Sequence, residues 1–252
     1  MPSATIYGKA NCNHSFRMQP LAMSSQIKQV EPRRLYQQIA DQIRGLIQSG
    51  HFPPASRLPA ERELAQQLGV SRPSLREALI ALEIDGTVEI RSGSGVYVCP
   101  MAGRAGSMMG SMGESPSELM QARAVVEGVV AMLACARMTP EGLSAVRETI
   151  TAMRTEIASG RDPLEHDRRF HLTLAELSGN SVLARIVRDL FDERHSPLST
   201  QLSVRFDNRN TWSIALAEHE VIYAALEASD PLLAQSAVHT HLQASRRRWV
   251  GD

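Results

Sequence analysis

Lysine is nearly absent from this sequence: Lys9 and Lys28 are its only two, and every other Lys/Arg-type position is arginine. Arginine suits planar, two-pronged contacts to phosphate and guanine, although a genomic bias would produce the same usage. Net charge is absent as well, the formal value being zero. Composition therefore announces no nucleic-acid partner, and such a function has to come from local patterning. Cysteine is scarce, and Cys12, Cys99 and Cys135 share neither metal-ligand nor disulfide spacing. That excludes a disulfide scaffold and points to a reducing, cytoplasmic setting. No apolar run approaches the roughly 20 residues of a membrane span, so no membrane partner is expected. The N-terminal stretch also lacks the long apolar core of a signal peptide. What is there, 252 residues with 43% hydrophobic and 21% charged, is the composition of a globular chain of one or two domains.

Residues 58–98, LPAERELAQQLGVSRPSLREALIALEIDGTVEIRSGSGVYV, carry the densest local signals. Leu64, Ala65 and Leu68 share one face of a short helix over residues 61–68, and Gly69 closes it as the residue best able to take positive φ. Ser71 is a natural N-cap for a second helix over residues 72–84. Pro73 is tolerated in its first turn, where N–H groups lack intrahelical partners anyway. The second helix sets Leu75, Ala78, Leu79 and Leu82 on one side, with Arg72 and Arg76 away from the centre of that face. Gly86 ends it, Val88 and Ile90 alternate with polar neighbours, SGSG turns the chain, and Val96 and Val98 alternate again. The pattern predicts a winged helix-turn-helix that reads DNA. A small α/β subdomain with solvated arginines is the plainer alternative; the agreement of every local signal favours the first.

The segment LPAERELAQQLGVSRPSLREALIALEIDG…RSGSGVYV closely resembles the DNA-binding domain of GntR-type bacterial regulators, over about residues 35–98. The resemblance implies that the second helix enters the major groove and the wing tip follows the minor groove of double-stranded operator DNA. It assigns contacts to Arg62, Ser71, Arg72, Ser74, Arg76, Ser92 and Gly93. Two positions depart from the family pattern. Ala55 stands where a Gly is common after two prolines, and Ser92 holds a wing position often basic or His, which puts the strength of the wing contact in doubt.

Around this segment the chain divides into four stretches. Residues 1–30 have little periodicity, carry Lys9, Arg17 and Lys28 without an acid, and are expected to be a disordered extension, with Met18 and Met23 as other candidate starts. Residues 31–99 form the winged domain, whose first helix is traced by Leu35, Ile39, Ile43, Leu46 and Ile47. Residues 100–113, rich in Gly, Ser and Met, read as a linker. Residues 114–252 show no alternating strand signal, and Ser115-Pro116, Thr139-Pro140, Asp162-Pro163 and Asp230-Pro231 each place a capping residue before a Pro suited to the first helical position. Ser115 and Asp162 have Glu118 and Glu165 three residues on, the capping-box spacing. The expected fold is mostly α: the winged domain followed by an all-α antiparallel bundle of about six helices, with Pro197 breaking the long stretch after Ser181.

The chemistry of the second domain lies in its histidines. Asp167 and His171, four residues apart, project from the interior face of one helix together with Phe170, Leu174 and Leu177. His219 shares its face with Trp212, Leu216, Ile222, Tyr223 and Leu226, and His241 with Ala234, Ala237, Val238 and Ala244. His166, His195 and His239 lie off these stripes. By spacing alone, inward histidines are either hydrogen-bonded core residues or ligands of a metal. Arg123, on the stripe of Leu119, Val126, Val130 and Leu133, also points inward, where an unpaired guanidinium is costly. Either it binds an effector or it pairs with Glu127 one turn on.

DRRFHLTLAELSGN, EHEVIYAAL and VHTHLQ look like the FadR C-terminal domain found behind one branch of GntR regulators. In metal-binding members a D-x-x-x-H pair and two further histidines supply four ligands; here those positions are Asp167, His171, His219 and His241. Three imidazoles and a carboxylate suit a divalent transition ion such as Zn, Ni or Mn, leaving positions for a small carboxylate effector that Arg123 would read. The leading expectation is a dimeric transcription regulator, a repressor in the first reading, whose operator affinity the effector controls, nucleoid-associated when on its operator. A metalloenzyme using the same site is one alternative, although no inward Glu is placed as a general base. A bare-metal sensor is another.

Overall fold

The computed structural model describes residues 34–100 and 112–250. The expected N-terminal extension and nearly all of the expected linker lie outside the described residues. In the N-terminal part, α1 (Leu35–Gln48) buries Tyr36, Ile39, Ala40, Ile43 and Ile47. It is followed by α2 (Glu61–Leu68) and α3 (Arg72–Ile84). The turn between α2 and α3 follows the sequence expectation: Gly69 is left-handed at φ 67°, and the Ser71 hydroxyl accepts the Ser74 N–H at 3.2 Å. The wing is a two-stranded antiparallel sheet, β1 (Val88–Arg91) with β2 (Gly95–Val98), pairing Val88 with Val98 and Ile90 with Val96. Val88, Val96 and Val98 turn into the core. Gly95 is favoured by its φ of 123°, a conformation that L side chains rarely adopt. Ala55 has a φ of 63°, which explains why a glycine is common at this turn.

The C-terminal part is a bundle of seven α-helices among the described residues, where the sequence suggested about six. They are α4 (Pro116–Cys135), α5 (Pro140–Ala158), α6 (Leu164–Leu177), α7 (Ser181–Asp192), α8 (Pro197–Phe206), α9 (Arg209–Glu227) and α10 (Pro231–Val250). The extra helix arises because the chain breaks twice after Ser181. A 3-10 turn at Glu193–His195 ends α7, and Ser196 then caps α8 with Pro197 in its first turn. Of the capping boxes expected at Ser115 and Asp162, the first is half formed and the second does not form, because Pro163 rather than Asp162 is the N-cap of α6. Ser115 accepts the Glu118 N–H at 3.2 Å and Asp162 accepts the Leu164 N–H at 2.9 Å. A reciprocal box forms at the start of α9, between Asn208 and Thr211, and half of one at α1, where Gln37 accepts the Arg34 N–H at 3.1 Å. No helix among the described residues is long and apolar enough to cross a membrane.

α3 departs most from its sequence pattern. Beyond the expected Leu75, Ala78, Leu79 and Leu82, it also buries Glu77, Ile80 and Ala81. The reason is tertiary: α8, α10 and the start of α4 pack on the side that an isolated winged domain would leave wet. Met112, Leu198, Leu202, Trp249 and Val250 thus join the winged domain's own apolar core. Polar contacts close the seam. Glu77 accepts the Ser117 N–H at 2.7 Å and the Ser115 hydroxyl at 2.8 Å, and Arg205 donates to Glu83 at 2.7 Å. The head is therefore docked on the bundle rather than hung from a tether.

Candidate metal centre and DNA-reading surface

The expected DNA-facing residues fall into two groups. Arg62, Ser71 and Arg72 are exposed at α2 and the first turn of α3, and Ser92 and Gly93 form the exposed wing tip. Ser74 is half-buried, its hydroxyl 2.8 Å from that of Ser71. Arg76 is the exception: it donates to Glu61 at 2.8 Å and lies over the Phe206 ring at 5.7 Å, turned toward the seam. Arg91 was missed by motif reasoning. It stands exposed beside Ser92, bonded to Glu89 at 2.7 Å and stacked over Tyr97 at 4.4 Å. Its signal was the R of EIRSGSG, read only as strand.

In the bundle the inward stripes of α6, α9 and α10 converge. Asp167, His171, His219 and His241 are 3%, 2%, 0% and 3% exposed, and each offers a ligand atom within 4.8 Å of the others. His219 Nε2 and His241 Nε2 stand 3.2 Å apart, and Asp167 Oδ1 is 3.5 Å from His219 Nε2 and 3.7 Å from His171 Nε2. Ligand atoms at about 2.1 Å from one ion lie about 3.0–3.4 Å from each other, so these separations are close to those of a shared ion. Hydrogen bonding alone serves the cluster poorly. His171 Nε2 is buried with no hydrogen-bond partner, and two Nε2 atoms face one another although one proton at most can lie between them. The donor set fits a divalent transition ion.

The outer nitrogens explain the orientation of the rings. His241 Nδ1 is 2.7 Å from Glu218 Oε2, and Arg248 holds Glu218 from the other side at 2.7 and 2.9 Å. His171 Nδ1 is 2.5 Å from Glu127 Oε2, and Glu127 Oε1 accepts Arg123 Nε at 2.6 Å. At His241 a proton held on Nδ1 by Glu218 leaves the Nε2 lone pair facing inward, as a ligand needs, whereas His171 and Glu127 meet at ion-pair distance without hydrogen-bond geometry. His219 Nδ1 meets the Met153 sulfur at 3.2 Å, and Phe170 stacks on the His219 ring at 4.2 Å. Glu127, which the sequence offered as a partner for Arg123, also reaches His171, a contact the sequence did not show. It is committed to Arg123 and to the outer face of His171, which is the place of an orienting group and not of a base.

The charges are balanced against strong desolvation. Burial opposes ionisation of Asp167, yet His171, His219 and Arg194 hold its carboxyl well below the usual range. Burial opposes ionisation of Glu127 likewise, and Arg123 and His171 outweigh it, bringing Glu127 down to about 2. Burial lowers His219 and His241, the first well below its ordinary value, and favours neutral imidazoles. His171 is raised, because Glu127 and Asp167 overcome its burial.

Of the two sequence readings of Arg123, the ion pair with Glu127 is present. Arg123 Nε pairs with Glu127, while Nη2 is buried without a hydrogen-bond partner. The side chain lines a cavity with Asp167, His171 and His241, which also receives Arg194, Asp207, Trp212, Arg248 and Trp249. The last five were not identified from sequence as cavity residues, since no local motif marks them.

A winged helix-turn-helix docked on a helical bundle with a buried three-histidine, one-aspartate cluster defines a DNA-binding protein with a second, ligand-type domain. Residues 35–98 match the gntR family of bacterial regulatory proteins, and residues 118–244 match the FCD domain. The chain is 35% identical over 226 residues to the Uxu operon transcriptional regulator of Escherichia coli K12, covering 86% of this chain and 87% of that protein. It is 36% identical over 220 residues to the Exu regulon transcriptional regulator of the same organism, covering 84% and 83%. Among solved structures, Streptococcus agalactiae GntR is 27% identical and covers 84% of this chain and 99% of that one, at a TM-score of 0.46. The chain belongs to the GntR family and carries an FCD domain behind its winged head. It is a transcription regulator and not an enzyme, as its named relatives are, which sets the metalloenzyme reading aside.

Proposed function

We propose that this regulator binds a palindromic operator as a homodimer and that a small carboxylate, bound at the histidine–aspartate cluster, controls its operator affinity. The observation that carries the reading is the arrangement of the imidazoles: Nδ1 of His171 and of His241 faces a carboxylate, and the Nε2 atoms face inward toward Asp167. Asp167, His171, His219 and His241 would hold the ion. A divalent transition metal, Zn, Ni or Mn, supplies open coordination positions for a carboxylate oxygen when bound. Glu127 and Glu218 hold the ring orientations, Phe170 excludes water, and the unpartnered Nη2 of Arg123 reads the acid group. Arg62, Ser71, Arg72, Ser74, Arg76, Ser92 and Gly93 make the operator contacts. A second copy is needed because one recognition helix covers only a few base pairs. The exposed Val125 and Val129 of α4 and Leu232 and Leu233 of α10 offer an apolar strip for that contact.

The test is a thermal-shift screen of small hydroxy acids with and without chelator, followed by operator binding at fixed salt. An active acid should raise the melting temperature only while metal is present and change operator affinity about 5- to 150-fold. A shift that survives chelation places the effector elsewhere. Metal-dependent stability with no acid response at all leaves the bare-metal sensor.

A further inference from the structure

We propose that Arg194 is a second reader of the effector's acid group, and that the ligand draws it away from Asp207, loosening a wall that the cavity shares with the DNA-reading head. The inference rests on the effector reading above. Arg194 sits in the turn between α7 and α8 with its side chain 8% exposed. Its contacts are long for charge-assisted bonds: Nη1 lies 3.6 Å from Asp167 Oδ2 and Nη2 3.4 Å from Asp207 Oδ2. Its Nε is buried with no hydrogen-bond partner. Arg123 leaves Nη2 in the same condition, and the two guanidiniums share one ring, lying 4.6 and 5.5 Å from the centre of Phe191. Two buried cations around one ring, both lining the same cavity and each with one unused donor, make a receptor for an anion that touches both.

Space then makes binding a mechanical event. The cavity has a volume of about 20 Å³, room for about one water. An acid of several heavy atoms enters only if a wall yields. On one side that wall is Asp207 and Trp249, joined by a 2.8 Å bond from the indole N–H to Oδ1. Asp207 also accepts from Ser203 at 2.5 Å and closes the end of α8. The other face of the same wall is the head. Trp249, Leu198 and Leu202 belong to the winged domain's core, Arg205 bonds Glu83 of α3, and Phe206 lies under Arg76 of α3. Close-packed elements of this kind move together or not at all. Taking Arg194 from Asp207 therefore shifts α8 and the end of α10, and α3 follows. This route does not depend on residues 100–113, which the sequence reads as a linker.

Trp212 and Trp249 are the only tryptophans in the chain and both line the cavity, so intrinsic fluorescence reports on it directly. The experiment uses the full-length, metal-loaded protein with malate as the probe, a short hydroxy diacid able to meet both guanidiniums. Malate should change the fluorescence and speed hydrogen exchange of α3 and α8. Arg194→Gln should keep its metal and weaken the apparent malate affinity about tenfold or more. Trp249→Phe keeps the ring packing but removes the donor to Asp207, and should speed exchange in α3 without any ligand. No malate response in wild type, or unchanged α3 exchange in Trp249→Phe, overturns the proposal. A response that persists in Arg194→Gln but vanishes with chelator overturns the role of Arg194 and leaves the metal-site reading intact. One that persists with chelator overturns both.

Discussion

Arg72 and Arg123 are the same side chain used in opposite ways. Arg72 stands exposed at the first turn of α3, where water solvates it and its guanidinium is open to a phosphate or base edge. Arg123 is 1% exposed on α4, tied to Glu127 on one side and lacking a partner for Nη2 on the other. The head keeps its chemistry on the surface, carried by residues close in sequence. The bundle keeps its chemistry inside, assembled from four helices and charged groups that hold each other in place. An exposed group acts alone and is worth what its own contact is worth. A buried one is worth its whole network, because removing it strands its partners.

The largest effect that would sharpen this contrast is expected at His219. Its replacement by Ala should remove most of the bound metal and abolish the stabilisation that added metal confers, whereas His239→Ala, exposed on α10, should keep both. Metal analysis and melting curves check this, and equal metal content in the two variants breaks the contrast.

Next in size is a titration at the seam. Burial pushes Glu77 up to about 7, against the pull of the Ser117 N–H and the Ser115 hydroxyl. With the folded value above the unfolded one, its contribution is fully present below about pH 4.5 and is lost as pH rises through 7. The difference is about 3 kcal/mol at most. Wild type should therefore lose stability relative to Glu77→Gln between pH 5 and 8; parallel denaturant midpoints across that range would place the seam's charge elsewhere.

Operator contacts come third. Arg72→Ala should weaken specific binding by roughly 1–3 kcal/mol at fixed salt. Arg76→Ala should cost less, since Arg76 is engaged with Glu61 and Phe206. Equal losses in a binding titration would mean that the head leaves the bundle before it reads DNA. The smallest effect is at the turn before α2, where Ala55→Gly should raise stability by up to about 1 kcal/mol by relieving a left-handed alanine. A fall in the denaturant midpoint would show that strain there is absent.

The two regions were also unequally legible. The winged domain could be read almost residue by residue, because caps, glycines and alternating strands are short-range signals that act within a turn or two. The buried cluster was legible at helix-face level: spacing showed that Asp167, His171, His219 and His241 point inward, and inward faces of neighbouring helices meet. Their partners were not. Glu218 is adjacent to a ligand in sequence yet serves a different one, His241, from the neighbouring helix, and Met153 reaches His219 from a third helix. No spacing rule connects such pairs. At the start of α4 likewise, Glu77 of the winged domain takes the Ser115 hydroxyl and the Ser117 N–H, a pairing that no local capping pattern records.

By itself, the sequence determined the elements, the winged head, the inward histidines and aspartate and the arginines that stand at the start of α3, because propensity, periodicity and capping are properties of a chain of a few residues. Only the tertiary structure decided that α3 is covered on its second side, that Arg76 faces the seam, and that Arg194, Asp207 and Trp249 make one wall for both domains. Those outcomes depend on which apolar surfaces find each other, and burial of that kind is settled by close packing between elements far apart in the chain, where a local pattern carries no record of its partner.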